Sequence, residues 1–231
     1  SGQRSLKQRI RAGEPLRVLP APPNATRGEI EALIALGPFD IFWLDGQHAP
    51  LCDRELADFC CIAEELGKPV QLRIKHPRQA HLLGNFLDLG PLSIVLPLVQ
   101  DKETVVDAID AFYFPPAGRR SWGATGYRFK DVPDRLAYAE WWNNNGILCV
   151  QLESVQAVLK VRRLARPGVD WITFGPNDLM FDLEMRGHRP FTTVDECVQY
   201  VVRQLQGIPV TVYNRVENDQ RIWLYSDPTT T

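Results

Sequence analysis

The chain has 231 residues, 45% of them hydrophobic, and its 26 basic and 28 acidic residues give a formal net charge of −2. This balance argues against a nucleic-acid-binding or membrane-surface protein, and no run of about 18 apolar residues occurs that would span a membrane. The length suits one large domain or two small ones, and the lack of any break in composition favours a single domain over residues 1–231.

The cysteines point to the compartment. The chain has five, an odd number, and none of them forms a C-x-x-C motif, which argues against a disulfide framework. The N-terminus carries charge but no apolar secretory segment. We therefore expect a reduced, cytoplasmic protein in which Cys60 and Cys149 are small core residues.

Short apolar runs alternate along the chain with helical patterns, and most runs are continuous, which is typical of strands buried on both faces. In chain order the candidate strands are Leu16–Pro20, Asp40–Leu44, Val70–Ile74, Ile94–Val99, Ile147–Leu152, Asp170–Phe174 and Pro209–Tyr213. The candidate helices are Glu29–Leu36, Asp53–Leu66, Glu103–Ala111, Val155–Ala165 and Val194–Leu205, and a further helix-like piece covers Glu217–Tyr225. This alternation predicts βα units and a parallel sheet.

The candidate strands fall one short of the eight in a (β/α)8 barrel, a fold of typically about 250 residues. We predict an α/β fold of this TIM-barrel type with a shortened C-terminal unit. A doubly wound open sheet is the alternative, although no G-x-G-x-x-G follows the first strand. The segment Phe112–Asn145 interrupts the alternation of strands and helices and is rich in proline, glycine, arginine and aromatic residues. So long an insertion indicates a functional loop or an interface element.

Polar side chains follow several of the candidate strands at the same end. They are Asp45, His48, Arg73, Gln151, Glu153 and Asp178. In a parallel barrel the carboxyl ends of the strands form one rim, and the catalytic side chains lie there. We therefore expect these residues to converge.

The residue types on this rim suit one chemistry. Glu153 and Asp178 are hard oxygen donors, and two carboxylates that leave positions open for water and substrate favour Mg²⁺ or Mn²⁺. Arg73 can bind a carboxylate or an enolate, and His48 can move protons near neutral pH. The combination predicts metal-assisted enolate chemistry on a 2-oxo acid.

Each of these residues also has a purely structural interpretation. His48 could cap the following helix or bond a carbonyl, and Glu153 could favour the N-terminus of the next helix. Asp178 could form an Asx turn, and Arg73 could pair with a structural carboxylate. Their shared position on one rim favours the functional interpretation.

Several short motifs, in order and at compatible spacings, resemble those of the HpcH/HpaI aldolase/citrate lyase family. They are LDGQHAP, QLRI, FLDLG, YFPPAGRRSWG, QLES and FGPNDL, within a resemblance that runs from near Leu6 to near Asp227. The resemblance implies a barrel of the phosphoenolpyruvate/pyruvate-binding type. It also implies a class II pyruvate aldolase, similar to 2-dehydro-3-deoxyglucarate and 4-hydroxy-2-oxoheptanedioate aldolases, that reversibly cleaves a 4-hydroxy-2-oxo acid through a metal-bound pyruvate enolate.

The resemblance also implies residue roles. Glu153 and Asp178 match the ligands of a divalent metal (Mg²⁺, Mn²⁺ or Co²⁺), Arg73 the residue that holds pyruvate, and His48 the acid–base histidine. Asp88 matches an aspartate that a neighbouring subunit contributes beside that histidine. The residues that match the pyruvate pocket are Gln151, Gly175, Pro176 and Asn177. Those that match the residues around that pocket are Asp45, Gln47 and Arg120.

The implied partners are a 2-oxo acid such as pyruvate or oxaloacetate, an aldehyde acceptor, and further copies of the chain, since the family commonly forms hexamers by exchange of the last helix. Gln47 stands where the family usually has glutamate, which removes a negative charge near the metal. The C-terminus ends where the eighth strand and swapped helix should follow, which favours a smaller assembly such as a dimer. Trp122 and Tyr127 favour an aromatic or apolar acceptor.

Other functions compete with aldol cleavage. One is decarboxylation of oxaloacetate through the same enolate, with or without capture by an acceptor. Another is a barrel that binds 2-oxo acids without turnover, which would fit Gln47 and the shortened C-terminus. A lyase acting on coenzyme A thioesters is less well supported, because the chain lacks an added basic segment for the phosphates.

Overall fold

The computed structural model describes residues 4–123, 131–216 and 221–229. Within them the α-helices are α1 (Leu6–Arg11), α2 (Arg27–Ile34), α3 (Asp53–Glu65), α4 (Leu83–Leu87), α5 (Lys102–Phe112), α6 (Arg135–Asn145), α7 (Val155–Leu159), α8 (Val161–Leu164), α9 (Pro176–Met185) and α10 (Val194–Gln204). A 3₁₀ helix covers Pro77–Leu82. The strands are β1 (Leu16–Pro20), β2 (Ile41–Asp45), β3 (Val70–Arg73), β4 (Ser93–Leu96), β5 (Ile147–Leu152), β6 (Trp171–Phe174), β7 (Thr211–Val212), β8 (Asn214–Val216) and β9 (Trp223–Ser226).

Local sequence fixes several helix starts. Thr26 and Glu29 form a reciprocal capping box at α2, in which the Glu29 carboxylate accepts the Thr26 amide at 2.7 Å. The Asp101 carboxylate accepts the Thr104 amide at 2.7 Å and so caps α5. Such caps are worth about 1 kcal/mol each, because they satisfy amides that the first helical turn leaves open.

The strands form a nearly closed barrel. Their order in the sheet is β7-β6-β5-β4-β3-β2-β1-β9-β8, with parallel pairing from β1 to β7. β9 runs antiparallel to both β1 and β8. Since only Tyr213 separates β7 from β8 along the chain, the two ends of the sheet meet. The predicted barrel is confirmed, and the doubly wound open sheet is wrong.

The position of the eighth barrel strand is filled by β9, and here the sequence prediction was wrong. We expected a helix-like piece over Glu217–Tyr225, but the described part of that segment enters strand β9; residues 217–220 lie outside the description. In β9 the aromatic residues Trp223 and Tyr225 alternate with Leu224, which is the period of a strand. Pairing with β1 and β8 decides the conformation of so short a segment.

Smaller differences concern element ends and the long insertion. Val155–Ala165, expected as one helix, divides into α7 and α8 at Lys160. The last part of Phe112–Asn145 forms helix α6, while residues 124–130, which include Tyr127, lie outside the description. The remaining predicted strands and helices are found with ends shifted by a few residues.

Two apolar layers hold the barrel together. One fills its interior with residues such as Val18, Ile41, Val95, Cys149 and Trp171, and the other lies between the sheet and the surrounding helices. Cys60 and Cys149 are both buried, as predicted, and all five cysteines are free thiols. None of the described helices is long and apolar enough to cross a membrane.

Candidate active site

Most of the predicted site residues line one pocket at the carboxyl ends of the barrel strands. They are His48, Arg73, Gln151, Glu153, Gly175, Pro176, Asn177 and Asp178. They come from the ends of β2, β3, β5 and β6 and from the segments that follow these strands. The structure therefore brings together side chains that lie up to 130 positions apart in the sequence.

Arg73 is fixed by Asp45, the last residue of the neighbouring strand β2. Its Nε and Nη2 donate to the two oxygens of the Asp45 carboxylate at 3.0 and 2.7 Å. The same carboxylate accepts the backbone amides of Gln47 and His48, so it also shapes the turn that carries the histidine. Burial alone would raise the pKa of Asp45, but the hydrogen bonds and charge of Arg73, with these amides, lower it.

Glu153 is the buried carboxylate of the pocket. Its side chain points to Leu98, whose amide donates to Oε2 at 2.5 Å, and Oε1 has no hydrogen-bond partner among the described residues. Burial raises the pKa of Glu153 to about 7; the Leu98 hydrogen bond opposes this rise, and the nearby Asp178 adds to it. A positive ion between the two carboxylates would relieve both the burial and the repulsion.

The donor set fits a hard divalent cation that keeps open positions. Glu153 and Asp178 offer carboxylate oxygens, which are the ligands that Mg²⁺ and Mn²⁺ prefer. Across the three described ranges, no cluster of three His, Cys, Asp or Glu residues is placed to enclose a metal. Two carboxylates would leave the remaining coordination positions of such an ion to water and substrate, whereas a closed structural site uses protein ligands alone.

His48 lies at the mouth of the pocket. Its backbone amide bonds Asp45, whereas its exposed imidazole has no hydrogen-bond partner within the described chain. It does not cap helix α3, whose N-cap is Cys52 with a reciprocal bond to Glu55. The imidazole is therefore available to a ligand.

Asp88 and Arg120 lie away from this pocket. Arg120 donates from Nη2 to Asp88 at 2.7 Å, and its guanidinium lies over the rings of Phe114 and Trp142 at 4.7 and 4.5 Å. Within one chain Asp88 thus pairs with Arg120, and its pairing with a histidine of another subunit stays a prediction. Gln47 is half-buried beside Asp45 and also lies outside the pocket lining.

Sequence reasoning missed several pocket residues. Trp43, Arg215, Trp223 and Tyr225 line the walls, and Gln71, Trp171 and Thr173 lie deeper in the barrel. Trp43 could have been predicted, because side chains two positions apart on a strand lie on the same face of the sheet, and Trp43 stands two residues before Asp45 on β2. Gln71 could have been found in the same way, because it stands two residues before Arg73 on β3. Arg215, Trp223 and Tyr225, in contrast, depend on the pairing of β8 with β9, which no local pattern gives.

Comparisons with known proteins agree with this geometry. Residues 29–223 match the sequence model of the family described as HpcH/HpaI aldolase/citrate lyase. The chain is 29% identical over 199 residues to 5-keto-4-deoxy-D-glucarate aldolase of Escherichia fergusonii, covering 83% of this chain and 75% of that protein. It is 30% identical over 194 residues to hydroxypyruvate/pyruvate aldolase of Roseovarius nubinhibens, covering 80% and 70%.

Solved structures resemble the fold as well. An HpcH/HpaI aldolase from Desulfitobacterium hafniense superposes with a TM-score of 0.79 at 28% identity, over 94% of this chain and 83% of that one. Macrophomate synthase superposes with a TM-score of 0.70 at 24% identity, over 90% and 75%, a similarity that concerns the fold alone.

Proposed function

Because the chain belongs to the HpcH/HpaI aldolase/citrate lyase family, we propose that it catalyses reversible cleavage of a 4-hydroxy-2-oxo acid to pyruvate and an aldehyde. It is an enzyme of the lyase class, as its family and relatives indicate. The observation that carries the proposal is the meeting of Glu153, Asp178, Arg73 and His48 in one pocket.

The family is generally dependent on a divalent metal. In this chain Glu153 and Asp178 would hold it, and Mg²⁺, Mn²⁺ and Co²⁺ are the ions to consider. When bound, such an ion supplies Lewis-acid polarisation of the 2-oxo group and stabilises the enolate.

Arg73 would bind the pyruvate part of the substrate. Two of its nitrogens are held by Asp45, while Nη1 makes only a long 3.5 Å contact to Gln151 and so keeps donor capacity for a substrate oxygen. Helix α9 begins at Pro176, which lines the same pocket, and amides of a first helical turn attract carboxylates. We place the substrate carboxylate at that helix start, next to Gly175 and Asn177.

His48 would serve as the proton carrier in cleavage. It removes the proton of the 4-hydroxyl, the C3–C4 bond breaks, and the oxygen electrons form the aldehyde carbonyl. The electron pair of the broken bond passes to the pyruvate enolate, whose C3 then takes up a proton to give pyruvate. Condensation is the same sequence reversed.

We also propose that the enzyme acts in the cytoplasm as a homo-oligomer. The free cysteines support a reducing compartment. Phe181 and Met185 lie one helical turn apart on α9 and are 62% and 73% exposed, which supports contact with another copy.

Exchange of the pyruvate methyl protons with deuterated solvent, followed by NMR, tests enolisation without any assumption about the aldehyde. We expect exchange with Mg²⁺, Mn²⁺ or Co²⁺ and its loss on chelation. Glu153→Gln should lower the exchange rate at least about 100-fold, because the charge that holds the cation is gone. The matched control Glu184→Gln removes an exposed carboxylate on α9 and should keep the rate.

Exchange that survives both chelation and Glu153→Gln would contradict the proposal. Pyruvate binding without exchange would instead support a barrel that binds 2-oxo acids without turnover. Adding oxaloacetate in the same NMR assay tests the alternative function, because its decarboxylation would give pyruvate through the same enolate.

A further inference from the structure

The β8–β9 hairpin brings a second guanidinium into the pocket. Arg215 on β8 lies opposite Tyr225 in the antiparallel register and lines the same pocket as Arg73 and Glu153. Its guanidinium carbon is 4.7 Å from the centre of the Trp223 ring. The indole therefore holds the planar group by a cation–π contact.

The two arginines of the pocket differ in what they already bind. Arg73 donates two hydrogen bonds to Asp45. Arg215 has no carboxylate at ion-pair distance in the part of the chain that the structure describes, and its side chain is half-buried. A stacked, half-buried guanidinium with unused donors is well suited to take a carboxylate through two parallel bonds.

An aromatic wall connects the two arginines. The rings of Trp223 and Trp43 lie 4.8 Å apart, and the Arg73 guanidinium lies 5.0 Å from the centre of the Trp43 ring. A molecule whose reacting end lies at Arg73 and whose far end reaches Arg215 would pass along the two indoles. The part between its ends would then be apolar or planar.

We propose that Arg215, stacked on Trp223, forms an anion subsite that selects acceptor aldehydes with a carboxylate beyond an apolar segment. This inference rests on the proposed function, because it places the reacting carbon near Arg73 and Glu153. The carboxylate accepts hydrogen bonds from the guanidinium, and the apolar segment packs on Trp43 and Trp223. Arg215 is thus a specificity-determining residue contributed by the strand pair that closes the barrel.

The test compares 4-carboxybenzaldehyde with 4-nitrobenzaldehyde, which have the same shape but differ in charge at the far end. We would measure kcat/KM for condensation of each with pyruvate. We expect Arg215→Met to lower the carboxylate-to-nitro ratio of kcat/KM by about tenfold or more, because charge-assisted hydrogen bonds are lost. Arg215→Lys should restore part of the ratio. A ratio that Arg215→Met leaves unchanged overturns the inference.

Two further measurements separate this inference from the proposed function. Arg17→Met removes an exposed arginine of the adjacent strand β1 and should keep the wild-type ratio. Pyruvate methyl exchange by the wild type reports the proposed function alone. If exchange is absent, calorimetric titration with benzoate and benzamide tests whether the anion subsite exists. Tighter binding of benzoate that Arg215→Met abolishes supports the subsite. Equal binding of the two compounds refutes it.

Discussion

Around Glu153 the backbone itself is shaped to fit one carboxylate. Leu98 has φ 52°, a left-handed conformation that is uncommon for a residue with a branched side chain, and this turns its amide toward Oε2. On the other side stands Gly175, where a Cβ would come within 2.5 Å of both Cγ and Oε1 of Glu153. The position and orientation of the carboxylate therefore depend on the backbone of two other residues, Leu98 and Gly175.

Gly175→Ala should displace the Glu153 carboxylate while leaving the fold in place. A misplacement of about 1 Å in a catalytic group can cost about 100-fold in rate, so we expect a loss of that order in metal-dependent pyruvate exchange. The control is Gly28→Ala on helix α2, where an added Cβ has open space and the rate should be unchanged. Wild-type exchange by Gly175→Ala would show that the carboxylate does not need this space.

At the scale of elements, the antiparallel strand β9 occupies the position at which a (β/α)8 barrel has its eighth parallel strand. Its Tyr225 packs edge-on against Trp171 inside the barrel, with ring centres 5.2 Å apart and an interplanar angle of 89°. The same strand supplies Trp223 to the pocket wall, so β9 both closes the barrel and completes the pocket. A strand of this kind forms because Tyr225 is buried, Trp223 is half-buried, and both edges of the strand are paired.

Tyr225→Ala should reduce the free energy of unfolding by about 3–5 kcal/mol, because it leaves a large cavity inside the barrel. Urea unfolding followed by circular dichroism measures the change. Leu136→Ala, at a position that is 73% exposed on α6, is the matched control and should change stability by less than about 0.5 kcal/mol. A change at Tyr225 as small as that of the control would mean that β9 is not a barrel strand.

In the molecule as a whole, a buried ion pair lies at the end of the barrel opposite the pocket. At the amino ends of the strands, the buried Lys7 ammonium lies 3.2 Å from Asp170 and donates to the Gly146 carbonyl at 2.6 Å and to the Tyr113 hydroxyl at 3.0 Å. Burial lowers the pKa of Lys7, and the charge of Asp170 opposes that effect. These bonds attach helix α1 to the barrel and to α6.

Lys7→Met should destabilise the protein by about 3 kcal/mol, because the buried Asp170 then keeps only the more exposed Arg11 as an ionic partner, and the bonds of Lys7 to Gly146 and Tyr113 are lost. Thermal and urea unfolding measure the effect. At temperatures where the variant is folded, its pyruvate exchange rate should match that of the wild type, since the site lies at the other end. Lys102→Met, which removes an exposed lysine at the start of α5, should leave stability nearly unchanged.

The stretch Asp40–Leu44 shows why much of the site could be predicted. Its apolar run predicts a buried strand, and the shared direction of the strands in a parallel barrel puts the following Asp45 and His48 on the rim at the carboxyl ends of the strands. The same reasoning placed Arg73, Gln151, Glu153 and Asp178 correctly in one pocket. Asp88 shows its limit, because sequence alone gave no sign of the bond to Arg120.

The sequence by itself determined the alternation of strands and helices, the end of the barrel that carries the polar residues, and the acidic pair suited to a cation. These follow from periodicity and from residue chemistry, both of which are local. Only the tertiary structure decided that Trp223–Ser226 is a strand, that Asp45 is used to hold Arg73, and that Arg215 faces the pocket. Such features depend on pairing between distant segments, whose free energy exceeds the weak conformational preference of a short stretch of chain.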